Sequence, residues 1–272
     1  MKKILKFFLI LGAILFIFML SLYVATPGRY NILIIGSDQR EGLKKGDVSV
    51  SRGRSDVLMV VSVPKRINRP ITILMIPRDT KIEDEQYGQQ KIAHFYAKGD
   101  RYESEILGNL PLTEQKVEEL LHIHISATFE TTFEGFADII NLLGGVDTSE
   151  GHLNADEATE LVHNRYNQAE GDFGRAAEQR EILKAALQKI KQPVYAKKVF
   201  DYLKTTKEVR LKIEKTQTAF FIMSYLLGHQ GKLSLDEIKE IELPGEGVRL
   251  DGLYYWQVNE QEANVIIGEY LK

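Results

Sequence analysis

Ile71-Thr72-Ile73-Leu74-Met75-Ile76-Pro77-Arg78-Asp79-Thr80 is the stretch on which the fold turns. An apolar, largely β-branched run leads straight into Pro-Arg-Asp-Thr. A short continuous run of this kind predicts a strand buried on both faces. Pro77 lacks a backbone donor and ends the ladder. Arg78 and Asp79 then stand just past the strand's carboxyl end, the rim on which open α/β sheets bind ligands. Two readings follow. Either this is the anion-binding floor of an active site, or Arg78 and Asp79 are a pair that pins a turn.

Upstream, Asn31-Ile32-Leu33-Ile34-Ile35-Gly36-Ser37-Asp38 repeats the pattern of apolar strand and polar exit, with Gly36 permitting a tight departure. Residues Gln39 to Arg52 read as a surface loop. Gly53-Arg54-Ser55-Asp56 then leads into a third apolar run, Val57 to Val63, and Pro64 to Pro70 forms a basic turn. If this strand runs antiparallel to its neighbours, its start shares a rim with their ends, and Asp38, Asp56 and Arg78 converge. Carboxylates are hard oxygen ligands, and two of them with phosphate oxygens suit Mg2+, which keeps several waters. Aspartates next to Ser or Gly serve equally as caps or turn residues.

Downstream, Lys91 to Ala97 predicts a short helix, with Lys91 turned to the rim or to water; His94 has no partner at metal-ligand spacing. Thr113 is placed as the cap of a helix running to about Leu121, and His122-Ile123-His124 as the alternating start of a strand continuing to Thr131. Thr132 to Leu143 reads as a helix closed by Gly144-Gly145, and Val146-Asp147 as a short strand. Asn154 caps a helix reaching about Val162. His163-Asn164-Arg165-Tyr166 ends it, a polar loop runs to Gly171, and Asp172-Phe173-Gly174-Arg175 opens a helix from about Ala176 to Ile190 that carries Gln179 and Arg180. A helix amino terminus attracts anions, and a guanidinium there matches phosphate oxygens; surface arginines paired with local acids are the other reading.

Residues 194–215 read as a basic helix with Lys197, Lys198, Lys204, Lys207, Arg210, Lys212 and Lys215, a face for anionic lipid or wall polymer or simply for water. Thr216 to Leu227 predicts an apolar helix, lining a lipid groove or packed in the core. Ile238 to Leu243 is a late strand, followed by a turn Pro244 to Gly247 and a hairpin around Asp251-Gly252. Asn259 caps the last helix.

Composition narrows the classes. The 272 residues are 44% hydrophobic and 27% charged with net charge −3, which fits a globular chain and offers no global basic field for nucleic acid. Absence of cysteine excludes a disulfide framework, a thiol nucleophile and a Cys-ligated metal. Residues 1–6 are basic and residues 7–28 uncharged and mostly apolar; about 22 such residues span a ~30 Å hydrocarbon layer as a helix. The leading lysines keep the amino terminus cytoplasmic and put the remainder outside. A cleaved signal peptide is the rival reading, but Val24-Ala25-Thr26 makes a poor cleavage site. Walker, Gly-x-Ser-x-Gly and His-Glu-x-x-His motifs are absent, and Asp172-Phe173-Gly174 has no kinase Gly-rich loop to accompany it.

Taken together, Ile-Gly-Ser-Asp (35–38), Gly-Arg-Ser-Asp (53–56), Ile-Pro-Arg-Asp-Thr (76–80), Lys-Ile (91–92), Asn-Arg (164–165), Gly-Asp-Phe-Gly-Arg (171–175) and Gln179 resemble the LytR-CpsA-Psr family, from about Tyr30 to about Gln192 and weakly in the Gly-Leu-Tyr-Tyr-Trp tail. The resemblance implies a three-layer α-β-α fold with a mixed central sheet and a polyprenyl groove. It divides the chain into a cytoplasmic tail (1–6), a transmembrane anchor (7–28) and an extracytoplasmic domain (29–272). The implied activity moves a glycopolymer, teichoic acid or capsule-like, from a polyprenyl-pyrophosphate carrier to peptidoglycan, with Mg2+ or Mn2+ as cofactor. Implied partners are the lipid-linked polymer, peptidoglycan and membrane lipid, without nucleic acid.

By the same resemblance Asp38 and Asp56 hold the metal. Arg78, Arg165, Arg175, Gln179, His163 and Lys91 bind the pyrophosphate, and Arg78, Asp79 and Arg165 take part in catalysis, Asp79 as general base. Two positions depart from the family pattern: His163 replaces the first arginine of Arg-x-Arg, and Glu178 replaces an arginine on the following helix. A non-catalytic binder of polyprenyl-linked precursors, acting indirectly on envelope regulation, is the alternative.

Overall fold

The computed structural model describes residues 27–37, 53–65, 69–98, 108–149, 151–163, 172–219, 221–222 and 238–272, the side chains of 163 and 172–177 excepted. Asp38, the loop 39–52 and Arg165 lie outside these residues, as does most of the apolar run 7–28. Among the described residues no helix is long and apolar enough to cross a membrane.

In chain order the elements are β1 (Arg29–Ser37), β2 (Ser55–Pro64), β3 (Ile71–Met75), β4 (Lys81–Asp84), β5 (Gly88–Lys91), a 3-10 helix (Ile92–Ala97), α1 (Leu110–Leu121), β6 (Ala127–Thr132) and α2 (Phe133–Leu142). There follow β7 (Val146–Thr148), β8 (Gly151–Leu153), α3 (Ala155–His163), α4 (Asp172–Ile190), α5 (Pro193–Leu203), β9 (Val209–Ile213), β10 (Ile238–Glu242), β11 (Gly245–Leu250), β12 (Leu253–Val258) and α6 (Glu260–Tyr270).

Six strands form one mixed sheet in the order β10-β3-β2-β1-β6-β9. β2 is antiparallel to both β1 and β3, β6 is parallel to β1, β10 is parallel to β3, and β9 is antiparallel to β6. The carboxyl ends of β1, β3, β6 and β10 therefore share one rim with the start of β2, as the antiparallel condition required. β3 is buried along its whole length, as its unbroken apolar run predicts.

The two sheet faces are packed differently. On one face Leu33, Ile35, Leu58, Val60 and Leu74 meet Ile92 and Tyr96 of the 3-10 helix, Val117 and Leu121 of α1, and Ala263 and Ile267 of α6. The other face carries Val57, Met59, Ile73 and Met75 against Leu183 and Leu187 of α4, while α2, α3 and α5 share a neighbouring core around Ile140, Ala158, Ile182 and Val199. Along β1 the odd positions are buried and Ile32, Ile34 and Gly36 only half-buried, so the α4 side is the looser one.

Local signals set most boundaries. Asn154 accepts from Glu157 N at 3.0 Å while Glu157 Oε2 accepts from Asn154 N at 2.8 Å, a capping box that starts α3. Asn259 caps α6 as expected, accepting from Glu262 N. Four expectations are corrected. Asn109, not Thr113, caps α1, with Pro111 in the first turn; Thr113 lies inside the helix, donating to Asn109 O. His122 is the left-handed C-cap of α1 (φ 49), so the strand starts only at Ala127. The basic stretch 194–215 divides into α5 and the edge strand β9. Gly245 to Gly247 begins β11 instead of forming a turn.

Candidate functional site

The rim after β3 is a rigid turn. Pro77 O accepts from Thr80 N and Oγ1 at 2.9 and 2.6 Å, Arg78 O from Ala93 N at 3.2 Å, Asp79 O from Trp256 N at 2.9 Å, and Thr80 O from Ile92 N at 2.8 Å. With its carbonyls bonded, the turn throws the side chains of Arg78 and Asp79 outward. Asp56, second residue of β2, meets them: Arg78 Nη1 donates to Asp56 Oδ1 at 2.6 Å. Lys91, last residue of β5, places Nζ 2.8 Å from Asp79 Oδ1, and Arg78 Nε lies 3.9 Å from Asp79 Oδ2. Acids and cations therefore alternate, Asp56–Arg78–Asp79–Lys91, with side chains only 12–21% exposed.

His94 lies close to this cluster, and Asp79 partly offsets the cations around it. Burial, reinforced by Arg54, Lys91 and Lys98, holds its imidazole below the ordinary range, so near neutral pH it adds no charge. Arg78 does pin the rim, as the turn reading has it, and Lys91 stands across Asp79 from it as a second cation. A guanidinium with five donors has capacity beyond one carboxylate oxygen.

At Gly36 and Ser37 the β1–β2 register shifts, and Ser37 pairs with Ser55. A Cβ at position 36 would lie 3.0 Å from Val57 Cβ, so glycine allows the close approach of the two strands at the bulge. Below this bulge, between the sheet and helices α2, α3 and α4, lies an apolar cavity of about 110 Å³. Ile34, Val57, Met59, Phe129, Phe136 and Leu183 form its walls, and Ser37, Thr131, Thr132 and Gln179 add polar groups. Gln179, 6% exposed, donates Nε2 to Val162 O at 3.3 Å and so stands on the cavity wall. His163 is the last residue of α3, and Arg175 lies in the first turn of α4, one turn before Gln179. The structure thus brings Asp56, Arg78, Asp79 and Lys91 together and sets Gln179 on the adjoining cavity; Asp38, Arg165 and the side chains of His163 and Arg175 fall outside the described residues.

Sequence reasoning missed two supports. The β11–β12 hairpin braces the rim: Trp256 bonds Asp79, Thr80 bridges to Trp256, and Lys91 Nζ stands 5.7 Å from the Tyr255 ring. Gly245 permits this, because a Cβ there would lie 2.7 Å from the Trp256 indole nitrogen. The second is a buried polar relay under the rim. Glu130 accepts from Tyr96 OH at 2.5 Å and from Arg210 Nε at 2.6 Å, and Tyr96 also bonds Ser37. Burial raises both the Glu130 carboxyl and the Tyr96 phenol above their ordinary values. The carboxylate of Glu130 in the middle of the buried strand Ala-Thr-Phe-Glu-Thr-Thr was the available signal.

The LytR_cpsA_psr family model matches residues 19–270. The teichoic acid transferase TagU of Bacillus mycoides, named as acting from polyisoprenyl-teichoic acid to peptidoglycan, is 31% identical over 245 residues, 84% of this chain and 73% of that protein. TagU of Oceanobacillus iheyensis is 28% identical over 257 residues, 88% of this chain and 74% of its own length. Among solved structures, TagV of B. subtilis superposes with a TM-score of 0.66 at 25% identity, covering 89% of this chain and 97% of that one. With its mixed sheet, its rim motifs and this match over nearly all of its length, the chain belongs to the LytR_cpsA_psr family.

Proposed function

We propose that this chain is a membrane-anchored transferase that moves a glycopolymer from a polyprenyl-pyrophosphate carrier to peptidoglycan. The observation that carries the reading is the juxtaposition of the Asp56–Arg78–Asp79–Lys91 rim with an apolar cavity walled by Phe129 and Leu183. A phosphate-headed lipid needs both, and the TagU relatives are named for such a transfer. In this reading residues 7–28 hold the domain, 29–272, at the outer surface.

Arg78 and Lys91, joined by Arg165, Arg175 and Gln179, bind the pyrophosphate, with His163 contributing only a neutral contact when deprotonated. A sugar hydroxyl of the acceptor attacks the phosphorus next to the polymer. Its proton passes to Asp79, the new P–O bond forms, and the bond to polyprenyl phosphate breaks. Positioning and charge neutralisation supply most of the rate in such reactions. The rim fits a divalent cation by its chemistry: Asp56 offers hard carboxylate oxygens with lone pairs beyond the one that accepts from Arg78. Asp56 and Asp38 would hold Mg2+ or Mn2+, which when bound offsets charge on the departing phosphate.

A binding-only role draws on Glu178, a partly buried carboxylate beside Gln179 whose Oε2 has no hydrogen-bond partner among the described residues. An acid at that point opposes a pyrophosphate. The deciding experiment incubates the full chain with a polyprenyl-pyrophosphoryl glycopolymer, peptidoglycan and Mg2+. Release of polyprenyl phosphate, lost in Arg78→Ala, is the expected result. Tight lipid binding with no release, or equal release by the variant, would overturn the transferase reading.

A further inference from the structure

The edge strand β9 is covered at its start and exposed toward its end. Its first residue, Val209, packs under α5, but Leu211 and Ile213, on the same face, are 46% and 42% exposed. Ile222 is 52% exposed. Its neighbour Phe221 stacks on Tyr30 with ring centroids 4.8 Å apart, and Tyr30 OH contacts Thr218. The register places the pair: Ile213 lies level with Ala127, and Ala127 level with Ile32. Ile213 and Phe221 therefore sit toward the end of the sheet where β1 begins, opposite the phosphate rim, while Leu211, level with Phe129 and Ile34, lies at mid-sheet. Gly28, the last residue of the uncharged run, is only two residues before Tyr30, so no linker separates that run from this end of the domain.

Three further facts define what covers the patch. Lys215, two residues past Ile213, is exposed, Glu214 is paired with His124 at 3.1 Å, and Lys212 points to the opposite face, where it pairs with Glu114. Exposed apolar side chains beside a lysine suit a surface that enters the headgroup layer of an anionic bilayer. Leu211 is the ladder partner of Phe129, whose side chain lines the cavity, so one apolar surface runs from the cavity wall to the sheet edge.

We propose that Leu211, Ile213 and Ile222 dock β9 onto the anionic leaflet that carries the anchor, setting the cavity wall against the membrane. The proposal rests on the anchored reading above. It extends that reading from a tether to a fixed orientation, so that a lipid tail passes from bilayer to cavity along β9.

The chain has no cysteine, so a single introduced thiol is unique. The full chain is reconstituted in phosphatidylglycerol–phosphatidylcholine vesicles with a bimane probe on Ile213→Cys or, at the rim end, on Leu253→Cys, which is 58% exposed. Doxyl-labelled lipid should quench the probe at 213 several-fold more than the probe at 253. A second arm places the probe on Ile222→Cys; adding Leu211→Ser and Ile213→Ser should relieve its quenching while the melting temperature holds, since both side chains are exposed. Equal quenching at 213 and 253, or unrelieved quenching at 222, overturns the docking while a chain that still floats with the vesicles leaves the anchor intact. A chain that fails to float overturns both.

Discussion

Removing Asp56 should change pyrophosphate binding in opposite directions with and without a divalent cation. Asp56 Oδ1 accepts from Arg78 Nη1 at 2.6 Å, and the two side chains are 12% and 19% exposed. Exposed pairs couple by about 0–1 kcal/mol and fully buried ones lose about 3–5 when broken, so this pair should couple by about 2 kcal/mol. Denaturation of Asp56→Asn, Arg78→Met and the double variant, read as a double-mutant cycle, measures that term. In metal-free buffer Asp56 competes with phosphate for the guanidinium, and Asp56→Asn should bind a short-chain polyprenyl pyrophosphate up to about tenfold more tightly, ~1.4 kcal/mol. With Mg2+ present the carboxylate is an anchor for the cation, and the same variant should bind more weakly. Arg78→Met should lose about 1.5–3 kcal/mol of binding under both conditions, the range of a charge-assisted hydrogen bond. Calorimetric titration reads all of this. Coupling near zero, or an Asp56→Asn effect of the same sign in both buffers, would refute the idea that one carboxylate serves guanidinium and metal in turn.

Other outcomes follow from separate parts of the structure. Arg29, 3% exposed, donates to Ser62 Oγ and O, Pro70 O and Thr72 Oγ1, and burial, with help from Arg69, lowers its pKa to about 10; Arg29→Met should cost about 2–3 kcal/mol of stability in urea titration by leaving buried acceptors unbonded. The lowered imidazole of His94 makes the folded state bind fewer protons than the unfolded one, whose value is 6.5. Its contribution is therefore present above pH 6.5 and is lost as pH falls from there through the folded value. His94→Gln should flatten the stability profile in that acid window and leave it unchanged at pH 8. Leu183→Trp should fill the 110 Å³ cavity with little change in melting temperature, yet weaken prenyl-lipid binding by about tenfold or more.

How much of this was legible before folding depends on what each residue's pattern encodes. The β3 run and Pro77 announce a buried strand and its exit because burial on both faces demands continuous apolarity. Placing Asp56 beside Arg78 needed only the antiparallel turn between β2 and β3. The β9 strand was hidden in a basic stretch. Val209, Leu211 and Ile213 alternate with Arg210 and Lys212 at the strand period, but Arg210 and Lys212 reach Glu130 and Glu114 on the opposite face, and their charge suggested a solvated helix. His122 and His124 looked like strand alternation over too short a window; one is a helix C-cap, and the other bridges Glu118 and Glu214 at 2.9 and 3.1 Å. The Tyr255–Lys91 and Trp256–Asp79 contacts join residues more than 150 positions apart, and only the tertiary fold brings them together.

A phosphate rim and a prenyl cavity that form a single site can be read directly by photolabelling. A pyrophosphate with a benzophenone-tipped prenyl tail, irradiated on the full chain and followed by peptide sequencing, should mark β1, β6 and α4 at residues such as Ile34, Phe129 and Leu183, and the marking should fall in Arg78→Met. Labelling spread over α1 and α6 on the opposite sheet face, or insensitive to Arg78, would contradict it.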